Sequence, residues 1–203
     1  APLSPLKVCC PESPPVTNRD KTHMAWLNAP AAWNFRDGVL RATADPQTDF
    51  WRKTHDGAVR DSGHFFWRTV AGDFTARVAV RGDYNALYDQ AGLMVRVDAK
   101  CWLKCGIELV DGVQQASVVV TRDWSDWSVR PIGTPDQIWL ECVRVASTLQ
   151  IAFSRDGQSY EMLRQTFLAE APQLDVGLMF AAPQGNGFSV VFEQFSLTDC
   201  QTT

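Results

Sequence analysis

The stretch Asp89–Glu108, DQAGLMVRVDAKCWLKCGIE, decides the fold. It reads as two strands joined by a short turn. Side chains along a strand point alternately to opposite faces. Leu93, Val95 and Val97 alternate with Met94 and Arg96, and Leu103, Cys105 and Ile107 alternate with Trp102, Lys104, Gly106 and Glu108. One face of this hairpin is apolar and belongs to a core. The other mixes a large aromatic, a cation, an acid and a glycine. A face that only met solvent would hold small polar groups, so this one has the composition of a binding surface.

The same pattern extends outward in both directions. Thr48–Lys53, Gly63–Val70, Phe74–Val80, Gln115–Thr121, Asp123–Arg130, Ile138–Val145, Leu149–Phe153, Leu174–Ala181 and Phe188–Leu197 read as strands. Asp37-Gly38, Asp111-Gly112 and Asp156-Gly157 are turn pairs of the kind that close tight hairpins. Tyr160–Phe167 is the one helix candidate, and it reads equally well as strand and turn. Short strands at regular intervals, separated by Gly, Asp and Pro, define an all-β sandwich or barrel. Several strands are apolar on one face and mixed on the other. That predicts two antiparallel sheets packed face to face, one presenting a concave outer face. Leu93, Val95, Leu103, Ile107, Val118, Leu140, Ile151, Leu178 and Phe192 are expected between the layers. Residues 1–23 are rich in proline and poor in large apolar groups, so they read as an extended or disordered tail before a domain over 24–200.

Composition narrows the function classes. The chain has 203 residues and a formal net charge of -4, which points away from nucleic acid and anionic membranes. It holds no apolar run long enough for a membrane-spanning helix and no secretory signal at its start. The cysteines Cys9, Cys10, Cys101, Cys105, Cys142 and Cys200 lack the spacing of a disulfide framework or a zinc site, which predicts reduced thiols and a cytoplasmic location. The three histidines, His23, His55 and His64, show no metal-ligand spacing, and no phosphate-cradling glycine loop is present, so neither metal nor cofactor is expected.

Glu108 is the leading candidate for chemistry. Paired with Asp89, or with Asp98 or Asp126, it would supply the two carboxylates of a glycoside hydrolase. A same-face ion pair with Lys104 is the competing structural role. His64 precedes Phe65, Phe66 and Trp67 and either faces the same groove or is a hydrogen-bonded structural histidine. Trp51, Trp67, Trp102, Trp124 and Trp127 each neighbour polar groups, and aromatic platforms beside hydrogen-bonding side chains suit a sugar or polyol. The expected ligand set is Trp102, Lys104 and Glu108 from one strand, Gln90 and Arg96 from its neighbour, and His64, Trp51 and Trp127 around them. Gly106 leaves a gap in the middle of that face, where a ligand is expected to approach the backbone.

Five segments carry a resemblance to a known family: TDFWRKT (48–54), DSGHFFWRTVAGDFTARV (61–78), YDQAGLMVRVD (88–98), WLKCGIELVDGVQQASVVVTRDWSDWS (102–128) and VGLMFAAPQGNGFSVVFEQF (176–195). Together they resemble the DUF1349 family, also called the regulation-of-enolase protein 1 family, over about Met24–Leu197. The resemblance implies a concanavalin A-like jelly roll of two antiparallel sheets and a regulatory role in carbohydrate metabolism. It transfers no catalytic residue. Together, residues and resemblance predict non-catalytic binding of a carbohydrate or similar polar ligand. The alternatives are a glycoside hydrolase or lyase using Glu108 and Asp89, and an interaction module whose partner is a metabolic enzyme.

Overall fold

The computed structural model describes residues 24–200, so the expected tail over 1–23 lies outside the described residues. In chain order the strands are β1 (Ala25–Leu27), β2 (Ala32–Arg36), β3 (Val39–Thr43), β4 (Phe50–Arg52), β5 (Val59–Asp61), β6 (His64–Ala71), β7 (Asp73–Gly82) and β8 (Gln90–Arg96). They continue as β9 (Cys101–Val110), β10 (Val113–Arg122), β11 (Trp124–Gly133), β12 (Ile138–Val145), β13 (Thr148–Ser154), β14 (Glu161–Phe167), β15 (Gln173–Ala181) and β16 (Ser189–Cys200). No helix occurs among the described residues, and the ambiguous 160–167 segment forms β14.

A seven-stranded front sheet runs β1-β6-β15-β8-β9-β10-β11, and a seven-stranded back sheet runs β14-β13-β12-β7-β16-β3-β2. Every strand pairing within them is antiparallel. The hairpin turns follow from local chemistry. Asp37 and Gly38 have φ of 51° and 78°, and Asp111 and Gly112 have 49° and 77°. Two successive left-handed residues make the turn whose twist matches its flanking strands. The second of these turns sets Val110 opposite Val113, and so fixes Glu108 opposite Gln115.

Inward side chains of both sheets form one core. Leu93, Val95, Leu103, Ile107, Val118, Leu140, Ile151, Leu178 and Phe192 all lie in it, as alternation predicts. Val97 does not: β8 ends at Arg96, and Val97 is exposed in the following turn. A smaller two-stranded hairpin, β4-β5, stands outside both sheets. It lies against the outer face of the front sheet. There Phe50 joins Phe65, Met94, Trp102, Val119 and Met179 in a second apolar cluster. That hairpin decides which part of the outer face remains available.

Candidate functional site

Register places the outer-face residues of the front sheet in cross-strand rows. Ala181, Gln90, Glu108 and Gln115 form one row, and Met179, Gly92, Gly106 and Ser117 the next. Gly177, Met94, Lys104, Val119 and Trp127 follow, then Asp175, Arg96, Trp102, Thr121 and Ser125. Parity therefore brings Gln90, Arg96, Trp102, Lys104, Glu108 and Trp127 to one face, as expected. The β4-β5 hairpin then divides them.

Trp102, Arg96 and Lys104 lie under the hairpin. Trp102 is 0% exposed, with its ring 6.2 Å from that of Phe50. It is a core residue of the outer cluster, so the expected stacking platform is not available there. The β4-β5 hairpin covers it, and DWSDWS instead supplies the turn at Asp123 and the start of edge strand β11. Arg96 makes two hydrogen bonds to the Asp61 carboxylate, at 2.7 and 2.8 Å. Lys104 Nζ donates to Phe50 O at 2.7 Å and to Gln90 Oε1 at 2.5 Å, with Asp49 Oδ1 at 3.7 Å. Two hydrogen bonds and an ion pair therefore engage its ammonium group. The expected Lys104–Glu108 ion pair is not formed. Four residues along a strand span about 13 Å, which is too far for the two groups to meet.

Other contacts fasten the hairpin down. Arg52 N donates to Ser125 Oγ at 2.9 Å, and Thr54 Oγ1 donates to Ser125 O at 2.6 Å. Lys53 and Arg52 both bind the Asp123 carboxylate and hold its pKa down at about 2. Trp51 rides on the hairpin and donates its indole N–H to Thr54 O at 2.7 Å, so it braces the cover.

Glu108 lies beyond the cover. Its Oε2 accepts from Ser117 Oγ at 2.6 Å and from Trp127 Nε1 at 2.9 Å. No hydrogen bond to its Oε1 is made by the described residues. Gln115, beside it in the row, is 8% exposed, and its Oε1 is buried without a partner. Trp127 is 38% exposed and meets Tyr88 edge-on at 6.2 Å. Gln90, Lys104, Gly106, Glu108, Ser117 and Met179 enclose a recess of about 10 Å³. That is room for one water-sized group and not for a sugar ring. Gly106 is there for the fold: a Cβ on it would run into Ala91 O and lie 2.8 Å from Gly92 Cα. The close approach of the β8 backbone requires this glycine, which also lines the recess.

The expected acid partners are directed elsewhere. Asp89 has the opposite parity to Gln90 and is fully buried, and its Oδ2 accepts from the amides of Asn85 and Ala86, both at 2.9 Å. Burial raises its pKa, and its contacts hold the turn before β8. Asp98 caps Lys100 N and Cys101 N in the β8-β9 turn. Asp126 pairs with Arg164 of β14 at 2.7 Å. None of the three turns toward Glu108.

His64 is also turned away from the site. Its Nδ1 lies 2.6 Å from Asn28 O, and its Nε2 accepts from Asp45 N at 2.9 Å. These partners select the neutral ring protonated at Nδ1. Burial lowers its pKa below 6.5. The unfolded chain then binds a proton that the folded chain refuses, so stability is intact above about pH 6.5 and falls as pH drops toward the depressed folded value. The melting temperature should show this loss, and His64→Gln, which keeps one donor and one acceptor, should flatten it.

Ser117, Gln115 and Tyr88 are the site residues that alternation along a single strand does not reveal. Counting outward from Asp111-Gly112 pairs 108 with 115 and 106 with 117, so the signal for two of them is present in the turn.

Two stacked antiparallel seven-stranded sheets, with a polar recess on one outer face, make this protein a concanavalin A-like β-sandwich. The carbohydrate-binding module CBM66 from Bacillus subtilis shares the fold, with a TM-score of 0.55 and 12% identity over 86% of this chain and 95% of that one. The chain belongs to the family described as "Protein of unknown function (DUF1349)", whose model matches residues 26–200. It is 40% identical over 185 residues to Regulation of enolase protein 1 of Saccharomyces cerevisiae, covering 89% of this chain and 92% of that protein. The crystal structure of a functionally unknown protein from Saccharomyces cerevisiae is similar with a TM-score of 0.85 and 38% identity, over 89% of this chain and 98% of that one.

Proposed function

We propose that the chain is a non-catalytic binding module for a carbohydrate or similar polyhydroxylated ligand, acting in the regulation of carbohydrate metabolism in the cytosol. One observation carries this reading. Glu108 Oε1 and Gln115 Oε1 stand side by side in one cross-strand row, and both are acceptors without donors among the described residues. The buried Gln115 oxygen is costly to leave unmatched, and a ligand rich in hydroxyl donors relieves that cost and can also donate to Glu108 Oε1. The small recess takes one hydroxyl, and the ring lies outside it against Trp127 and Tyr88. The shared fold of CBM66 and the name of the yeast relative are consistent with this reading.

The test is a glycan array followed by calorimetric titration of the best ligand. Glu108→Gln should weaken binding by about tenfold or more, since a hydrogen bond to a charged group contributes about 1.5–3 kcal/mol. Trp127→Ala should weaken it comparably and leave the fold intact, because the ring is partly solvent-exposed. Unchanged affinity in both variants excludes the recess as the site.

A second reading follows from exposed Leu87, Trp127 and Val129 beside the recess, an apolar rim suited to a protein surface. Here the partner is a metabolic enzyme, enolase being the one in the relative's name. Trp127→Ala would weaken such docking and Glu108→Gln would not, which separates the two readings.

A further inference from the structure

A second concave region, lined by aromatic side chains, is on the other side of the molecule. A groove of about 420 Å³ lies on the outer face of the back sheet. Trp139 of β12 and Tyr160 form one wall, Gln194 and Ser196 of β16 the other, and Arg77 of β7 lies at the base. Its volume is that of a small-molecule site, whereas the front recess admits one hydroxyl.

Two departures from regular structure build it. Strand β16 is bulged, with its pairing to β7 shifting between Glu193 and Ser196. Within the bulge Gln194 has φ of 55°, a conformation that ordinary side chains rarely adopt. The result is that Gln194 Oε1 reaches across to accept from Trp139 Nε1 at 3.2 Å. Bulges commonly re-aim a side chain beside a functional site, and a strained residue is a reason to look for one. On the opposite wall, Gly157 lets the β13-β14 turn press on the Trp139 indole, which a Cβ there would approach to 3.0 Å. Asp156 Oδ1 locks that turn by accepting from Gln158 N, Ser159 N and Ser154 Oγ, at 2.8, 2.7 and 2.8 Å. Both walls are therefore fixed before any ligand arrives.

The groove's chemistry selects the ligand class. Arg77 is paired with Glu141, so the base carries no net charge and does not favour an anion. Its guanidinium also lies over the Tyr160 ring, 5.9 Å from the centroid. The amides of Gln158 and Gln194 and the hydroxyl of Ser196 supply both donors and acceptors. Indole and phenol rings offer apolar faces. A neutral ring with hydroxyls on its edge and C–H groups on its face meets all of these. We propose that this groove is a second carbohydrate-binding site, back to back with the front recess. It shares the ligand class of the function proposed above but does not depend on the recess being occupied. Two sites on opposite sheets let one molecule engage two sugar chains, or one long chain twice, and gain in avidity.

The indole N–H groups of Trp139 and Trp127 are separate reporters, each hydrogen-bonded within its own site. Their NMR resonances, assigned with Trp139→Phe and Trp127→Phe, are followed while xylotetraose, cellotetraose and maltotetraose are added in turn to about 10 mM, enough to detect millimolar binding. The expected result is saturable movement of the Trp139 resonance with at least one sugar, persisting in Glu108→Gln. Gln194→Gly should weaken that binding by about tenfold while preserving or raising the melting temperature, because glycine accepts the positive φ without strain. Loss of binding with retained stability distinguishes a ligand contact from a structural one. If the Trp139 resonance stays still with all three sugars, or if Gln194→Gly binds as tightly as the wild type, the groove is not a carbohydrate site. Movement at Trp139 without movement at Trp127 removes the front recess and leaves the groove standing; the reverse removes the groove alone.

Discussion

Gly106→Ala is expected to destabilise the protein by about 3 kcal/mol or more, at the upper end of overpacking effects. The added methyl would run into the carbonyl oxygen of Ala91, and the carbonyl carbon behind it is at 2.7 Å. These are backbone atoms of the adjacent strand, so they have no rotamer in which to yield. Gly92 faces Gly106 across the same strand pair, with the mirror constraint: its Cβ would lie 2.6 Å from Gly106 Cα. Gly177 on the other flank of β8 is similarly closed in by Phe66 O. Gly92 and Gly106 thus form a glycine pinch between β8 and β9, and Gly177 a separate close approach of β15 to β6. Urea unfolding checks the effect, with Gly112→Asn as the control. Gly112 also has a positive φ but nothing within 4 Å of its Cβ, and asparagine tolerates that conformation. Midpoints shifted equally by the two substitutions would contradict the steric account.

Trp102→Ala is expected to cost about 3–5 kcal/mol, the range for emptying a buried aromatic site. The ring is fully enclosed by Phe50, Met94, Val119 and their neighbours. Its removal also loosens the β4-β5 hairpin, because Phe50 then packs on a void. Trp102→Phe should lose much less. The indole Nε1 is buried without a hydrogen-bond partner, so the phenyl ring gives up volume but also removes an unmatched donor. Denaturation midpoints that rank wild type, Phe and Ala in that order, with Phe nearer the wild type, fit a core residue. An Ala variant of unchanged stability that binds sugar poorly would restore Trp102 as a contact residue.

The sandwich was legible because its signals are local. Alternation in LMVRVD and CWLKCGIE assigned the two faces of β8 and β9, and Asp37-Gly38 and Asp111-Gly112 specified the β2-β3 and β9-β10 turns through backbone chirality. The site was legible only to the level of a face. Trp102 and Glu108 share parity, but one is core and the other lines the recess. The difference is made by Phe50, some fifty residues earlier in the chain, whose placement depends on a hydrogen bond from Lys104 and contacts with Met94 and Phe65. No periodicity encodes such a contact. Asp89 shows the opposite limit. As a carboxylate it is one of three possible partners for Glu108, yet it precedes β8 with the parity opposite to that of Gln90 and is turned away.

The order of strands in space also governs how the chain must assemble. In the front sheet β15 separates β6 from β8, and in the back sheet β16 separates β7 from β3. Both interior slots are filled by the last two of the described strands. Until residues 173–200 emerge, each sheet is split into two parts that face each other with one unpaired inner edge apiece, those of β6 and β8 in the front sheet and of β7 and β3 in the back sheet. Closure therefore depends on contacts between residues more than a hundred positions apart, such as Leu178 with Phe66 and Phe192 with Leu40. Loop closure of that length is slow, which places refolding in the millisecond-to-second range, measurable by stopped-flow tryptophan fluorescence. A nascent chain stalled before Leu174 carries four open strand edges into a crowded cell, so the aggregation risk persists until β15 and β16 are in place.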